Sequence, residues 1–146
     1  GLTYTDKDGS EKPVVIIHKA LLGSFERFLG VYIEHTGGHF PVWLAPEQVR
    51  VVTISDENSI LKLAENVVKK AKELGIRAEL DDLNETVAKK IREAEIMKVP
   101  YTIVIGQKEV QSGRVTTRHR TDLPEIPESS IEEFLQKLSE NAKARK

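Results

Sequence analysis

The chain is 146 residues long, enough for one good hydrophobic core and a smaller appendage. Its 22 Lys and Arg nearly balance its 23 Asp and Glu, so overall charge announces no polyanionic partner. The absence of cysteine excludes a disulfide framework and thiol chemistry, no apolar run approaches the roughly 18 residues of a membrane span, and nothing resembles a signal peptide, so a soluble, cytoplasmic protein without a membrane partner is expected.

The chain opens with two strand-like runs, Leu2 to Thr5 and Val14 to Ile17. Asp6-Lys7-Asp8-Gly9 between them is a hairpin turn signal. Gly23 and Ser24 then make a tight turn into an amphipathic helix. Pro46 interrupts the chain, and Val49 to Ile54 is a β-branched strand. Ser55 and Asp56 offer N-cap oxygens for a helix whose apolar stripe is Ile60, Ala64, Val67, Val68, Ala71 and Leu74, stopped by Gly75 at C′. Ile76 to Leu80 is the next strand. Asn84 is the expected cap of a further helix with Val87, Ala88, Ile91 and Ala94 inward, ended by Pro100. Tyr101 to Ile105 is a buried strand, and Gly106 to Gly113, with Glu109 in it, a hairpin turn into a last strand, Arg114 to Arg118, which adds an antiparallel edge. Ser129 or Ser130 forms a capping box with Glu132 or Glu133 ahead of a helix built on Ile131, Phe134, Leu135 and Leu138.

Strand, helix, strand, helix, strand implies right-handed crossovers and a parallel core. The fold class expected is therefore α/β, a mixed and mostly parallel sheet flanked by helices and preceded by a β-hairpin and a helix. The domain division expected is 1–47 and 48–146.

Three groups of residues carry candidate chemistry. Arg27, one turn into the first helix, is a planar cationic fork near a helix N-terminus, which suits a triphosphate and also suits an ordinary surface arginine. His18, alone at a strand end, reads as a structural residue or as a metal ligand. Alternation along Arg114 to Arg120 puts Arg114, Thr116, Arg118 and Arg120 on one face, with Val115 and Thr117 on the other. From Asn84 to Arg120 there are eight Lys and Arg against four Glu, a local basic zone that fits an RNA-facing surface or a solvated one.

The runs His18-Lys19-Ala20, Leu22-Gly23-Ser24-Phe25-Glu26-Arg27-Phe28 and Phe40-Pro41-Val42-Trp43-Leu44-Ala45-Pro46-Glu47-Gln48 resemble motif 3 of the class II aminoacyl-tRNA synthetases in its threonyl form. Asn84-Glu85, Lys90 to Glu95, Val99-Pro100-Tyr101 and Gly106 to Arg118 resemble the anticodon-binding domain of the same family. The resemblance covers almost the whole chain. It implies that the first 47 residues are the end of an antiparallel catalytic domain and that residues 48–146 bind the anticodon.

For function, the resemblance implies ATP-dependent joining of threonine to its tRNA by a homodimeric parent protein that uses ATP, Mg and Zn. Gly23, Ser24 and Arg27 would belong to a partial ATP site, with Arg27 catalytic. His18 would be one of three zinc ligands, the others lying outside this chain. Asn84, Arg92, Glu109 and Arg118 would read the anticodon of tRNA-Thr, while Lys89 and Lys90 would at most touch phosphate. The chain then looks like a C-terminal fragment, inactive by itself and without tightly held zinc. Leu83 stands where a basic residue is common in the family, and Lys98 where arginine is frequent. A stand-alone anticodon-domain-like RNA-binding or regulatory module is the alternative; an unrelated small-molecule-binding α/β domain fits the motif density poorly.

Overall fold

The computed structural model describes residues 1–145, and Lys146, the last residue of the expected second domain, lies outside the described residues. Two compact units form, Gly1–His35 and everything from Thr36 onward. Residues 36–47 thus pack with the second unit.

In the first unit, β1 (Thr3–Thr5) pairs antiparallel with β2 (Glu11–Pro13), with Thr3 opposite Pro13. The turn is where the sequence puts it. Gly9 takes φ 78° and donates to the Asp6 carbonyl at 2.9 Å. The returning strand, however, is Glu11–Pro13 and not Val14–Ile17. The reason is register: pairing starts right after the turn, and Val14 already donates to Leu2 at 3.1 Å. Residues beyond it have no opposite residue left in β1. Val15 and Ile17 are accordingly 83% and 85% exposed. Next, α1 (Phe25–Thr36) begins at Ser24, whose hydroxyl accepts from the Arg27 amide at 3.2 Å.

The second unit is built on a four-stranded sheet. Its strands are β3 (Val49–Thr53), β4 (Ala78–Asp81), β5 (Tyr101–Ile105) and β7 (Thr117–His119), in the order β4-β3-β5-β7. The first three are parallel and β7 is an antiparallel edge, as expected. β-Branched residues dominate β3 and β5 because both faces are covered. On one face Val49, Val51, Tyr101, Ile103 and Ile105 pack against α2 (Asn58–Glu73) and α5 (Ile131–Lys143). Tyr101 and Phe134 meet edge to face, with ring centroids 5.9 Å apart. The other face is crossed by α3 (Val87–Ile96), which packs on β3.

Local details depart from the sequence reading in five places. The N-cap of α2 is Glu57, with no side-chain cap bond, because the chain runs past Ser55 and Asp56 before it coils. β4 starts at Ala78 and ends at Asp81, set by its rungs to Val49 through Val52. Thr86, not Asn84, caps α3, its hydroxyl accepting from the Lys89 amide at 3.3 Å. In α3, Ala88 is exposed, and Lys90 takes a place on the buried stripe with Ala94.

The fifth is larger. Residues 107–112 are a short helix, α4 (Gln107–Ser112), where a hairpin turn was expected. Both ends are capped: the Glu109 carboxylate accepts from the Gly106 amide at 2.9 Å, and Gly113 closes the helix at φ 65°. With both termini satisfied the segment winds instead of reversing. The following strand is also split at Thr116. β6 (Arg114–Val115) pairs with β8 (Ser129–Ser130), and only β7 joins the main sheet. At Ser130 the expected capping box with Glu133 is present, and Ile131, Phe134, Leu135 and Leu138 are all buried.

Candidate nucleic-acid interface

The parallel strands β3, β4 and β5 all end at one edge of the sheet, where open α/β sheets commonly bind ligands. A cleft of about 300 Å³ lies there, between the loop after β3 and the loop after β4. Ile54 and Leu83 line it with apolar surface, 50% and 61% exposed. Asp56, Asp82, Asn84 and Glu85 line it with polar groups. Asn84 is therefore a loop residue facing this cleft, free of the capping duty expected of it.

Glu109 is placed at the same end. A Cβ built on Gly106 would meet Ile54 Cδ1 at 2.7 Å and Glu109 Oε2 at 3.3 Å, so the isoleucine of the cleft and the carboxylate converge on this glycine. A Cβ there would require the end of the Ile54 side chain to shift. Glu109 is half-buried within α4, not at a hairpin tip, and one of its oxygens is held by the Gly106 amide.

The three arginines of the last strand have separate fates. Alternation holds: Val115 and Thr117 are buried, while Arg114 and Arg118 are exposed. Arg120 breaks the pattern. Its side chain is 7% exposed and is spent on structure, donating to Phe40 O at 2.8 Å, Lys98 O at 3.0 Å and the Asp122 carboxylate at 2.6 and 2.8 Å. Arg114 donates to Glu128 O at 2.9 Å and approaches its carboxylate at 3.5 Å. Arg118 alone of the three has no side-chain partner among the described residues. Register fixes where it lies: Arg118 opposes Thr102, Thr102 neighbours Arg50, and Arg50 neighbours Glu79. These four share the face that α3 crosses. Arg118 is three rungs back from Ile105, roughly 10 Å from the cleft end of the sheet.

Arg92 is exposed on α3, two residues from buried Lys90 and so on the outward side of the helix. Asn84, Arg92 and Arg118 thus belong to the same side of the sheet, with Glu109 at its end. The lysines diverge. Lys89 is exposed and pairs with Glu85 at 2.6 Å. That carboxylate holds the Lys89 ammonium above its ordinary pKa. Lys90 cannot be a phosphate contact: it is 3% exposed, and its ammonium donates to Thr53 O at 3.1 Å, Thr53 Oγ1 at 3.4 Å and Asp81 O at 3.1 Å. A signal for this exists in the sequence, since position 90 falls within the helical stripe 87, 91, 94. The apolar pair Ile54 and Leu83 carried no such signal, because the loops meet only in the fold.

In the first unit, Gly23 takes φ 68° and its Cβ position lies 3.7 Å from Arg27 Cδ, so the arginine folds back over the turn at the helix start. Gly23, Ser24, Arg27 and His18 are all exposed. Among the described residues no group of three or more His, Cys, Asp or Glu side chains could hold a metal ion. No helix among the described residues is long and apolar enough to cross a membrane.

Residues 48–141 match the anticodon binding domain family. Threonine–tRNA ligase of Clostridium tetani is 46% identical over 138 residues, which cover 94% of this chain and 21% of that protein. The enzyme of the same name from Carboxydothermus hydrogenoformans is 43% identical over 137 residues, again 94% of this chain and 21% of that protein. Among solved structures, the RNA binding domain of threonyl-tRNA synthetase from Cryptosporidium parvum Iowa II superposes with a TM-score of 0.73 at 35% identity, covering 83% of this chain and 30% of that one. This chain therefore spans about a fifth of the length of the relatives it matches. The sheet order, the helices on its two faces and the match across residues 48–141 agree, and the chain belongs to the anticodon binding domain family.

Proposed function

We propose that this chain is the anticodon-reading part of a threonine–tRNA ligase, whose intact form joins threonine to tRNA-Thr with ATP. The relatives carrying that name across 94% of the chain support the substrate, and the family supports the RNA. The observation that carries the reading is Arg118 on β7: an exposed guanidinium, unpaired among the described residues, while Arg114 and Arg120 on either side of it in sequence are both engaged. A free planar fork can bond the acceptor edge of guanine or stack on a splayed base. Asn84 faces the cleft, Arg92 lies on the flanking helix, and Glu109 keeps one carboxylate oxygen free to accept from a base amino group.

The roles assigned in the first unit belong to the intact, homodimeric cytoplasmic enzyme. There Gly23, Ser24 and Arg27 form part of the ATP site, where ATP is bound with Mg, and Arg27 braces the triphosphate. His18 contributes one ligand to a zinc completed by residues outside this chain.

The test is a binding titration with a threonine-tRNA anticodon stem-loop against anticodon-mutated loops. Arg118→Ala is expected to weaken the cognate loop by about 1–3 kcal/mol more than the mutated ones. Equal weakening of all loops would make Arg118 a phosphate clamp and remove it from base reading.

A further inference from the structure

We infer that Lys90 is a positioning residue: its buried ammonium sets the spacing of the two loops that flank the anticodon cleft. The inference rests on the anticodon-reading function proposed above and adds to it a residue that touches no RNA. β3 and β4 are paired from Val49–Ala78 to Val52–Asp81, and there the ladder ends. One residue on, Thr53 bonds β5 while Asp81 leads into the loop that carries Leu83 and Asn84. At this fork the Thr53 hydroxyl reaches the Asp81 carbonyl only by a long bond of 3.5 Å. Lys90 Nζ fills the gap, donating to Thr53 O at 3.1 Å, Thr53 Oγ1 at 3.4 Å and Asp81 O at 3.1 Å.

An ammonium has three protons, and the three acceptors account for all of them. Lys90 thus has none to offer a ligand, although it lines the floor of the cleft. A buried charge is tolerated only when it is hydrogen-bonded this fully, and it then enforces one geometry on its partners. What it enforces is the separation of the strand ends, and the residues leaving those ends are Ile54 on one side and Leu83 with Asn84 on the other. Asp81 is itself 6% exposed with Oδ1 unpartnered among the described residues, so this fork is polar and closely confined. An apolar side chain of the same length fills the volume and lets the loops settle independently. Removing the ammonium leaves its carbonyl acceptors without that donor and is expected to cost some stability, so folding is measured alongside positioning.

The experiment compares the whole chain with its Lys90→Met and Thr53→Val variants. Unfolding curves and far-UV circular dichroism establish that each folds. Amide hydrogen exchange then reads residues 82–86 against the β5–β7 rungs, and titrations with cognate and anticodon-mutated stem-loops read discrimination. Lys90→Met is expected to speed exchange at 82–86 selectively and to reduce discrimination about tenfold, the worth of one base contact. Thr53→Val, which removes one of the three acceptors, is expected to fall between. Wild-type discrimination that persists unchanged in a folded Lys90→Met chain overturns the positioning role alone. A wild-type chain that does not discriminate overturns the anticodon reading, and this inference with it. If Lys90→Met fails to fold, Lys90→Gln, which is too short to span the three acceptors and leaves the Thr53 hydroxyl's bond to Asp81 O in place, decides: native discrimination and exchange in that variant overturn the role, and an intermediate loss supports it.

Discussion

Arg120 donates to the carbonyl of Phe40 at 2.8 Å, across a separation of 80 residues in sequence. From the far side of the sheet Arg77 does the same, reaching Ala45 O and Trp43 O, both at 2.9 Å. Between them the segment Phe40–Ala45, which the sequence assigns to the first domain, is fastened to the second unit. Gln48 completes the attachment, donating to Val42 O at 2.8 Å and accepting from the Arg77 amide at 2.9 Å.

Arg120→Ala should therefore destabilise the second unit by about 2–4 kcal/mol, since several charged hydrogen bonds from a nearly buried guanidinium are lost together. Arg120→Lys should recover only part, because a point charge cannot span Phe40, Lys98 and Asp122 together. Urea unfolding of the three proteins measures this. A loss under 1 kcal/mol for the alanine variant would mean that water replaces these bonds without cost.

Asp122 gives the same cluster a pH dependence. Its hydrogen bonds from Arg120 hold the carboxyl below its ordinary pKa. The unfolded chain then takes up this proton at a higher pH than the folded one does. The contribution is fully present above the unfolded value, about 4, and is lost as pH falls through the folded one. Asp122→Asn should flatten the acid limb of the stability curve while changing its neutral plateau less. Parallel acid limbs for the two proteins would show that the Arg120 bonds do not perturb the titration. The effect is modest, because Asp122 is 45% exposed and partly screened.

Lys98 holds φ 58°, the left-handed conformation usually given to glycine at the end of a helix, and its carbonyl is one of the two that Arg120 binds. Lys98→Gly should raise the melting stability by roughly 0.5–1 kcal/mol, the relief of side-chain strain less the added entropy of the unfolded chain. No change or a loss would indicate that the lysine stem packs favourably enough to offset the strain.

The isolated chain should catalyse no threonine-dependent ATP–pyrophosphate exchange and should lose zinc on dialysis. Arg27 is the only triphosphate-facing group proposed here, and a catalytic zinc needs about three protein ligands where His18 is one. Exchange above a no-protein control, or about one zinc per chain after dialysis, would reveal a site made by other residues.

Much of this architecture was legible before any coordinates. The helical stripe Ile60–Ala64–Val67–Val68–Ala71, the stop at Gly75, the capping box Ser130–Glu133 and the buried strand Tyr101–Ile105 are local patterns, and local propensities and burial agreed there. The parallel order followed from the alternation of elements; the antiparallel edge was expected from a hairpin turn at Gly106 to Gly113, and it forms although that segment is the helix α4. The exposed face of the last strand was likewise correct for Arg114 and Arg118, because period-two alternation survives a change of partner strand.

What only the tertiary structure decided are the pairings between distant groups. Val14–Ile17 has strand chemistry, yet the residues that pair with β1 are Glu11–Pro13. Arg120 has the same alternation as Arg118, yet carbonyls 22 and 80 residues away claim it, and Arg118 is left without a side-chain partner among the described residues. Lys90 looks like a surface cation until Thr53 and Asp81 converge on it from two strands. A sequence states which groups can donate and accept; which of them are already satisfied, and so which remain for RNA, depends on partners that only the fold brings within 3 Å.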